Sequence, residues 1–187
     1  MSEQELASNC ARGEDRARKE LYVTYSSRIR ALCSRYAADA AEAEDMMQDA
    51  FIKIFHVIKQ FTWTHPGSLY SWMSRVALNL AFDSAKKRQR LARTLQEIDF
   101  AQDSDIDEPG YDETLSIPFD VLQQLIEELP EGYRIVYKLH DIDELSHRDI
   151  AELLGIKEKS SAANLSRARA ILARNIKNYL FLKNKTQ

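Results

Sequence analysis

Apolar residues recur along this chain at intervals of three and four, and strict alternation of any useful length is missing, so the pattern predicts helices and no sheet. A short first helix is expected over 4–11, punctuated by Gly13. A long amphipathic helix follows over 14–37, with Ala17, Leu21, Tyr22, Tyr25, Ile29 and Leu32 on one face. The next spans 39–61 and turns Met47, Ala50, Ile54, Val57 and Phe61 inward. A loop over 62–67 holds Trp63, His65 and Pro66. A further helix over 68–93 has Leu69, Trp72, Met73, Val76 and Leu80 as its inner stripe, which makes Trp72 a core residue.

The period then lapses. Residues 94–117 carry no helical repeat, contain Pro109-Gly110 and stop at Pro118, a stretch longer than most loops inside a domain. Helical spacing resumes over 119–129 with Val121, Leu122, Leu125 and Ile126, and Pro130 opens another helix over 131–140. Two domains follow from this layout: 1–94 and 118–187, joined by a linker at 95–117. The fold class is all-α, two small helical bundles.

The last third has a sharper pattern. Ser146 can cap a helix, with Asp149 three residues on. Ile150, Ala151 and Leu154 share a buried face, and Gly155 fits the left-handed turn that ends such a helix. Ile156 plugs the corner. Ser160 is expected to cap the next helix, whose inner stripe is Ser161, Leu165, Ala168 and Leu172. That leaves Ala163, Asn164, Arg167 and Ala170 facing outward. Helix, tight turn and basic helix make a helix-turn-helix, whose second helix fits the major groove of DNA. Arg167, Arg169, Arg174 and Lys177 then lie near the groove or its phosphates. An ordinary helical hairpin with a solvated basic face is the competing reading; the Ala-x-x-Leu-Gly-Ile turn favours DNA.

Charge sharpens the picture. The 187 residues carry a net charge of −3, but the charges are segregated. Residues 84–93 are strongly basic. Residues 95–133 contain neither Lys nor Arg and gather Asp103, Asp105, Asp107, Glu108, Asp112 and Glu113. Two basic blocks separated by an acidic one suggest two nucleic-acid surfaces on one chain. Cys10 and Cys33 have no metal-ligand spacing, and His56, His65, His140 and His147 are scattered, so no metal is expected. No paired nucleophile and base and no phosphate-cradling glycine loop is present, which argues against an enzyme and against a cofactor. No apolar run approaches the roughly 20 residues of a membrane span. The polar, acidic N-terminus does not read as a signal peptide, so a cytoplasmic protein is expected.

Ala43-Glu44-Asp45-Met46-Met47-Gln48-Asp49-Ala50-Phe51-Ile52-Lys53-Ile54-Phe55, together with Ser71-Trp72-Met73-Ser74-Arg75-Val76-Ala77-Leu78-Asn79-Leu80-Ala81-Phe82-Asp83, resembles region 2 of bacterial sigma factors. The C-terminal module resembles sigma region 4, and the two-module layout resembles the extracytoplasmic-function type. The resemblance covers 14–94 and 119–179. It implies a protein that binds core RNA polymerase, reads two promoter elements and helps expose the template strand, driven by binding alone.

The same resemblance assigns roles. The helix over 39–61 would dock on the clamp helices of the largest polymerase subunit through Asp45, Gln48, Asp49 and Ile52, which lie opposite the core stripe. Acidic and amide groups beside one apolar residue suit a polar protein contact. The loop over 60–68 would capture a flipped base of the minus-ten strand, with Trp63, Thr64 and His65 supplying a stacking face and polar edges. Trp63 folded over the helix ends as a core residue is an equal alternative. Arg75, Asn79, Asp83, Lys86, Lys87, Arg88, Arg90 and Arg93 would follow the outer side of the next helix, the cations on phosphates and Asn79 at an opened base. For the minus-thirty-five element the candidates are Arg148, Lys159, Ser160, Ala163, Asn164, Arg167 and Arg169. Ala162 and Ala163 cannot hydrogen-bond a base, so Asn164 and Arg167 are the obvious readers, and contact with this element is expected either to be weak or to depend on DNA shape.

The implied partners are core polymerase (clamp helices, and the flap of the second-largest subunit), promoter DNA and an anti-sigma factor, with a monomer when free. The acidic linker would run through polymerase toward the RNA exit path. The rival from the residues alone is a stand-alone helix-turn-helix regulator that dimerises on an operator without polymerase.

Overall fold

A computed structural model describes residues 1–83, 95 and 117–185. The cations Lys86, Lys87, Arg88, Arg90 and Arg93, and all but the two end positions of the acidic linker, lie outside the described residues. The chain divides into two compact units, Met1–Ala85 and Lys86–Gln187. All regular structure among the described residues is helical.

The first unit contains α1 (Glu3–Ala11), α2 (Asp15–Ser34), α3 (Ala40–Val57) and α4 (Ser68–Phe82). A capping box starts α1: Glu5 N–H donates to Ser2 Oγ, and Ser2 N–H donates back to the Glu5 carboxylate. Asp39 starts α3 by accepting from the N–H groups of Ala41 and Glu42, both at 2.9 Å. The expected helix over 39–61 is broken at Val57, and a single 3₁₀ turn, Ile58–Gln60, leads into the loop.

The core is built from Leu6, Ala17, Leu21, Ile29, Leu32, Met47, Ala50, Phe51, Ile54, Leu69, Met73 and Phe82, each under 5% exposed. Two expected stripes are corrected by it. Tyr22 is 39% exposed; its ring leans on Phe51 at 4.8 Å while its edge stays wet, as an amphipathic ring at a rim does. On α4, Trp72, Val76 and Leu80 are only half-buried, whereas Ala77, Leu78 and Phe82 are buried. The cause is that α4 packs against both α2 and α3 and touches α1. Its apolar surface is therefore wider than one stripe and centred on the row Leu69, Met73, Ala77. Trp72 lies on the rim, its ring 5.5 Å from that of Phe61.

The second unit contains α5 (Phe119–Glu127), α6 (Glu131–Tyr137), a π-helical turn (Lys138–Ile142), α7 (His147–Leu154) and α8 (Glu158–Lys185). Ile117, Leu129, Tyr133, Ala168, Leu172 and Ile176 form one buried cluster, with Val121, Leu122, Leu125, Ile126 and Ile171 packed on it. Lys138 interrupts an apolar face and is 7% exposed. Its ammonium donates to Glu127 Oε1 at 2.6 Å, which offsets the cost of burying the charge.

Ser146 caps α7 as expected, accepting from Asp149 N–H at 3.1 Å, and its hydroxyl donates to Asp149 Oδ2 at 2.6 Å. Gly155 ends α7 at φ +68°, the backbone region that penalises a Cβ. The start of α8 is a correction: Ser161 N–H donates to Lys157 O, so Ser160 is already helical and is not the cap.

Candidate protein and nucleic-acid interfaces

On α3 the buried positions are Ala43, Met47, Ala50, Phe51 and Ile54. Asp45, Gln48, Asp49 and Ile52 follow the helical period on the other side, and all four are exposed. Ile52 is 64% exposed, an unusual position for a large aliphatic side chain that is not needed for packing. The result is one continuous polar row with an apolar end, on a helix whose other side is anchored in the core.

The loop between the 3₁₀ turn and α4 places Trp63, Thr64 and His65 at the surface. Trp63 is 36% exposed, so its indole is not buried over the helix ends. The loop is tied down at several points. Thr64 N–H donates to Ser68 Oγ at 3.4 Å, Ser68 N–H to His65 O at 3.0 Å, and His65 Nδ1 lies 2.9 Å from Pro66 O. Gly67 closes it at φ +89° and is the N-cap of α4. Beyond it, Ser71, Arg75, Asn79 and Asp83 form an exposed row one turn apart along α4. Arg75 and Asn79 thus lie on the outer side, as expected.

In the second unit Arg148 and Lys159 are exposed, and Ser160, Ala163 and Arg167 are half-buried. Asn164 contradicts the outward placement. It is 1% exposed, its Nδ2 donates to Ser160 O at 2.7 Å, and its Oδ1 is buried without a hydrogen-bond partner among the described residues. Position 164 lies three residues after Ser161 and four before Ala168, both fully buried. The spacing therefore puts it in the stripe, and its polarity misled the sequence reading. The exposed surface of α8 instead holds Lys159, Ala162, Ser166 and Arg169. Ser166 was missed; the same spacing, counted from Ala162, would have found it.

Arg169 is exposed but already engaged. Its Nε and Nη2 donate to the two Asp141 oxygens at 3.0 and 2.7 Å, a bidentate fork joining α8 to the π-helical turn. His140 Nδ1 lies 2.8 Å from Asp141 Oδ1, the His140 and His147 rings stack at 4.5 Å, and His147 Nδ1 lies 3.0 Å from Ser161 Oγ. This chain of contacts sets how α8 sits on α7 and the turn. Burial pushes the Asp141 carboxyl up, but the Arg169 and His140 hydrogen bonds outweigh that and hold it below its ordinary value. Burial, and then the neighbouring His140, lower His147 below the usual histidine value.

Cys10 and Cys33 are free and buried, and burial pushes each thiol up to about 11. No group of three metal-ligating side chains occurs among the described residues.

Comparison with known proteins fits these surfaces into a pattern. A family described as Sigma-70 region 2 matches residues 21–91, and one described as Sigma-70, region 4 matches residues 119–172. The ECF RNA polymerase sigma factor SigW of Bacillus subtilis is 30% identical over 177 residues, covering 89% of this chain and 92% of that protein. The ECF RNA polymerase sigma factor SigE of Mycolicibacterium smegmatis is 27% identical over 154 residues; the match covers 80% of this chain but 58% of that longer protein. Among solved structures, the sigma factor RpoE in complex with the anti-sigma factor NepR, from Bartonella quintana, superposes with a TM-score of 0.53 at 22% identity. That match covers 85% of this chain and 96% of that one, and shows a shared fold.

Proposed function

The chain belongs to the ECF group of RNA polymerase sigma factors, and from that premise we propose that it docks on core polymerase through α3 and directs it to promoters. The observation that carries the docking assignment is the exposed row Asp45, Gln48, Asp49 and Ile52, which no packing requirement explains. Carboxylates and an amide give orientation, and the isoleucine gives a desolvated anchor at the end of the row.

Promoter opening follows from the adjacent loop and helix. Trp63 offers a stacking face, Thr64 and His65 offer polar edges, and a base held there offsets the cost of leaving the duplex stack. Asn79 can both donate to and accept from an unpaired base edge, and Arg75 meets the backbone beside it. The basic segment with Lys86, Lys87, Arg88 and Arg90 follows in sequence and supplies further cations for phosphates.

The minus-thirty-five element meets α8 with a different set of side chains from the one expected. Ala162, Ala163 and Ser166 are small, so the helix can enter a groove closely, with a methyl available for thymine and one hydroxyl for a base edge. Lys159, Arg148 and Arg167 hold phosphates, and Arg169, held by Asp141, keeps the helix in place. Asn164 is not a reader. RpoE is found in complex with the anti-sigma factor NepR, and a partner of that kind would silence this chain by covering the exposed α3 row.

The test is co-purification of the intact chain with bacterial core polymerase, beside Asp45→Arg and Gln48→Arg. The wild-type chain is expected to form a stable holoenzyme, and each substitution to weaken it at least about tenfold, because a cation is set into a contact matched to a carboxylate or an amide. Failure of the intact chain to bind competent polymerase would instead favour an operator-binding regulator.

A further inference from the structure

The loop over 61–67 is followed by a helix that cannot cap itself. An α-helix begins with N–H groups that have no partner in the helix, and the N-cap side chain normally satisfies one of them. In α4 the N-cap is Gly67, which has no side chain, and φ +89° suits glycine there. The missing acceptor comes from 64 residues upstream. Glu3 Oε2 accepts from Gly67 N–H and Glu3 Oε1 accepts from Leu69 N–H, each at 2.8 Å. One carboxylate thus spans the N-cap and the second helical residue, on the positive end of the helix dipole.

Glu3 is itself well placed to hold that position. It is in the first turn of α1, whose start is fixed by the Ser2–Glu5 capping box. Leu6, Ala7 and Cys10 bury the inner side of the same helix, and α1 packs on α2, on the 3₁₀ turn before the loop and on α4 after it. The loop therefore hangs between two elements that α1 touches, and its end is fastened by a charged bond to a helix far away in sequence. The region 2 match begins at residue 21, downstream of α1.

We propose that Glu3 is a positioning residue for strand opening: by capping α4 through Gly67 and Leu69, it fixes the loop that presents Trp63, Thr64 and His65 to the unpaired minus-ten strand. The inference rests on the base-capturing reading of that loop. A clasp of this kind sets the geometry of capture without touching DNA, so its loss lowers affinity for the opened strand and leaves the α3 docking row unchanged.

The experiment uses holoenzyme reconstituted from core polymerase and the full chain, with a promoter first selected by the wild-type holoenzyme from a randomised duplex pool. The probe is the fluorescent single-stranded minus-ten segment of its non-template strand. Glu3→Ala is expected to weaken strand binding about tenfold, the loss of a hydrogen bond to a charged group, with core-polymerase affinity as in wild type. Glu3→Gln keeps one acceptor and should fall between the two. Amide exchange at Gly67 and Leu69 should quicken in Glu3→Ala and less so in Glu3→Gln.

Strand binding unchanged in both Glu3 variants, while Trp63→Ala or His65→Ala weakens it, overturns the role of Glu3 alone. Strand binding unchanged in the Trp63 and His65 variants as well overturns the loop reading and the inference with it. Should Glu3→Ala fail to form holoenzyme, Glu3→Gln with wild-type core binding decides: weaker strand binding supports the clasp, and wild-type strand binding overturns it.

Discussion

Asn164 shows how one residue can change the reading of a surface. A buried amide with one satisfied end and one orphaned oxygen gains about as much from its bond as it loses from the unpaired atom. Asn164→Ala should therefore move the unfolding midpoint of the second unit little, within about 1 kcal/mol, and leave minus-thirty-five preference intact. Asn164→Asp puts a charge where the side chain is 1% exposed and should lower stability sharply, with recovery as the carboxyl is protonated at low pH. Thermal melts of the two variants, beside a binding selection on randomised minus-thirty-five DNA, check both. A shift of base preference in Asn164→Ala would return the residue to the groove. Polarity argues for an outward Asn164, but the interval to Ser161 and Ala168 points inward, and position prevails over chemistry here. Gly155 shows the reverse, a residue whose need for a left-handed turn was legible from its place after Leu154.

Between elements, the joint formed by the π-helical turn, α7 and the start of α8 is the one most exposed to pH. His147 faces His140 and Asp141 from the turn and Glu158, Ser161 and Arg169 from α8. Its folded value lies below the ordinary 6.5, with burial and His140 as the leading causes. The unfolded chain therefore binds the proton more readily, and stability falls as pH is lowered through 6.5 toward the depressed value. Urea unfolding of the second unit should show a lower midpoint at pH 5.5 than at pH 7.5, and His147→Gln should flatten that slope; an equal slope in the variant would remove His147 as its source. How far such joints were legible depends on what made them. Most helices, the loop over 62–67 and the α3 row follow from period and turn residues, and they appear within a few positions of where the pattern put them; the helix expected over 68–93 is the exception, since it ends at Phe82. The width of the α4 contact was not legible, because two neighbouring helices, not one, decide which of its side chains are covered. Nor were the Asp141–Arg169 fork and the Glu3 cap, which join residues 28 and 64 or more positions apart and leave no local signal.

For the whole molecule, the separation into two units and the segregation of charge belong together. Each unit has its own buried core, and each carries one of the two surfaces proposed to meet DNA, with the acidic stretch lying between them in sequence. A chain that meets one promoter through two different units has no need of a second copy to supply a matching half-site, so the free chain should run at the mass of a single copy in light scattering. A stable dimer would revive the operator-binding alternative. The two thiols described above carry a separate consequence. With each pushed up to about 11, only about one molecule in ten thousand would hold a thiolate near neutral pH, and the thiolate is the form that attacks peroxides and disulfides. Neither thiol is therefore poised as an oxidant sensor. Should the output of the chain follow oxidative stress, the sensing group is to be sought first on whatever binds or releases it.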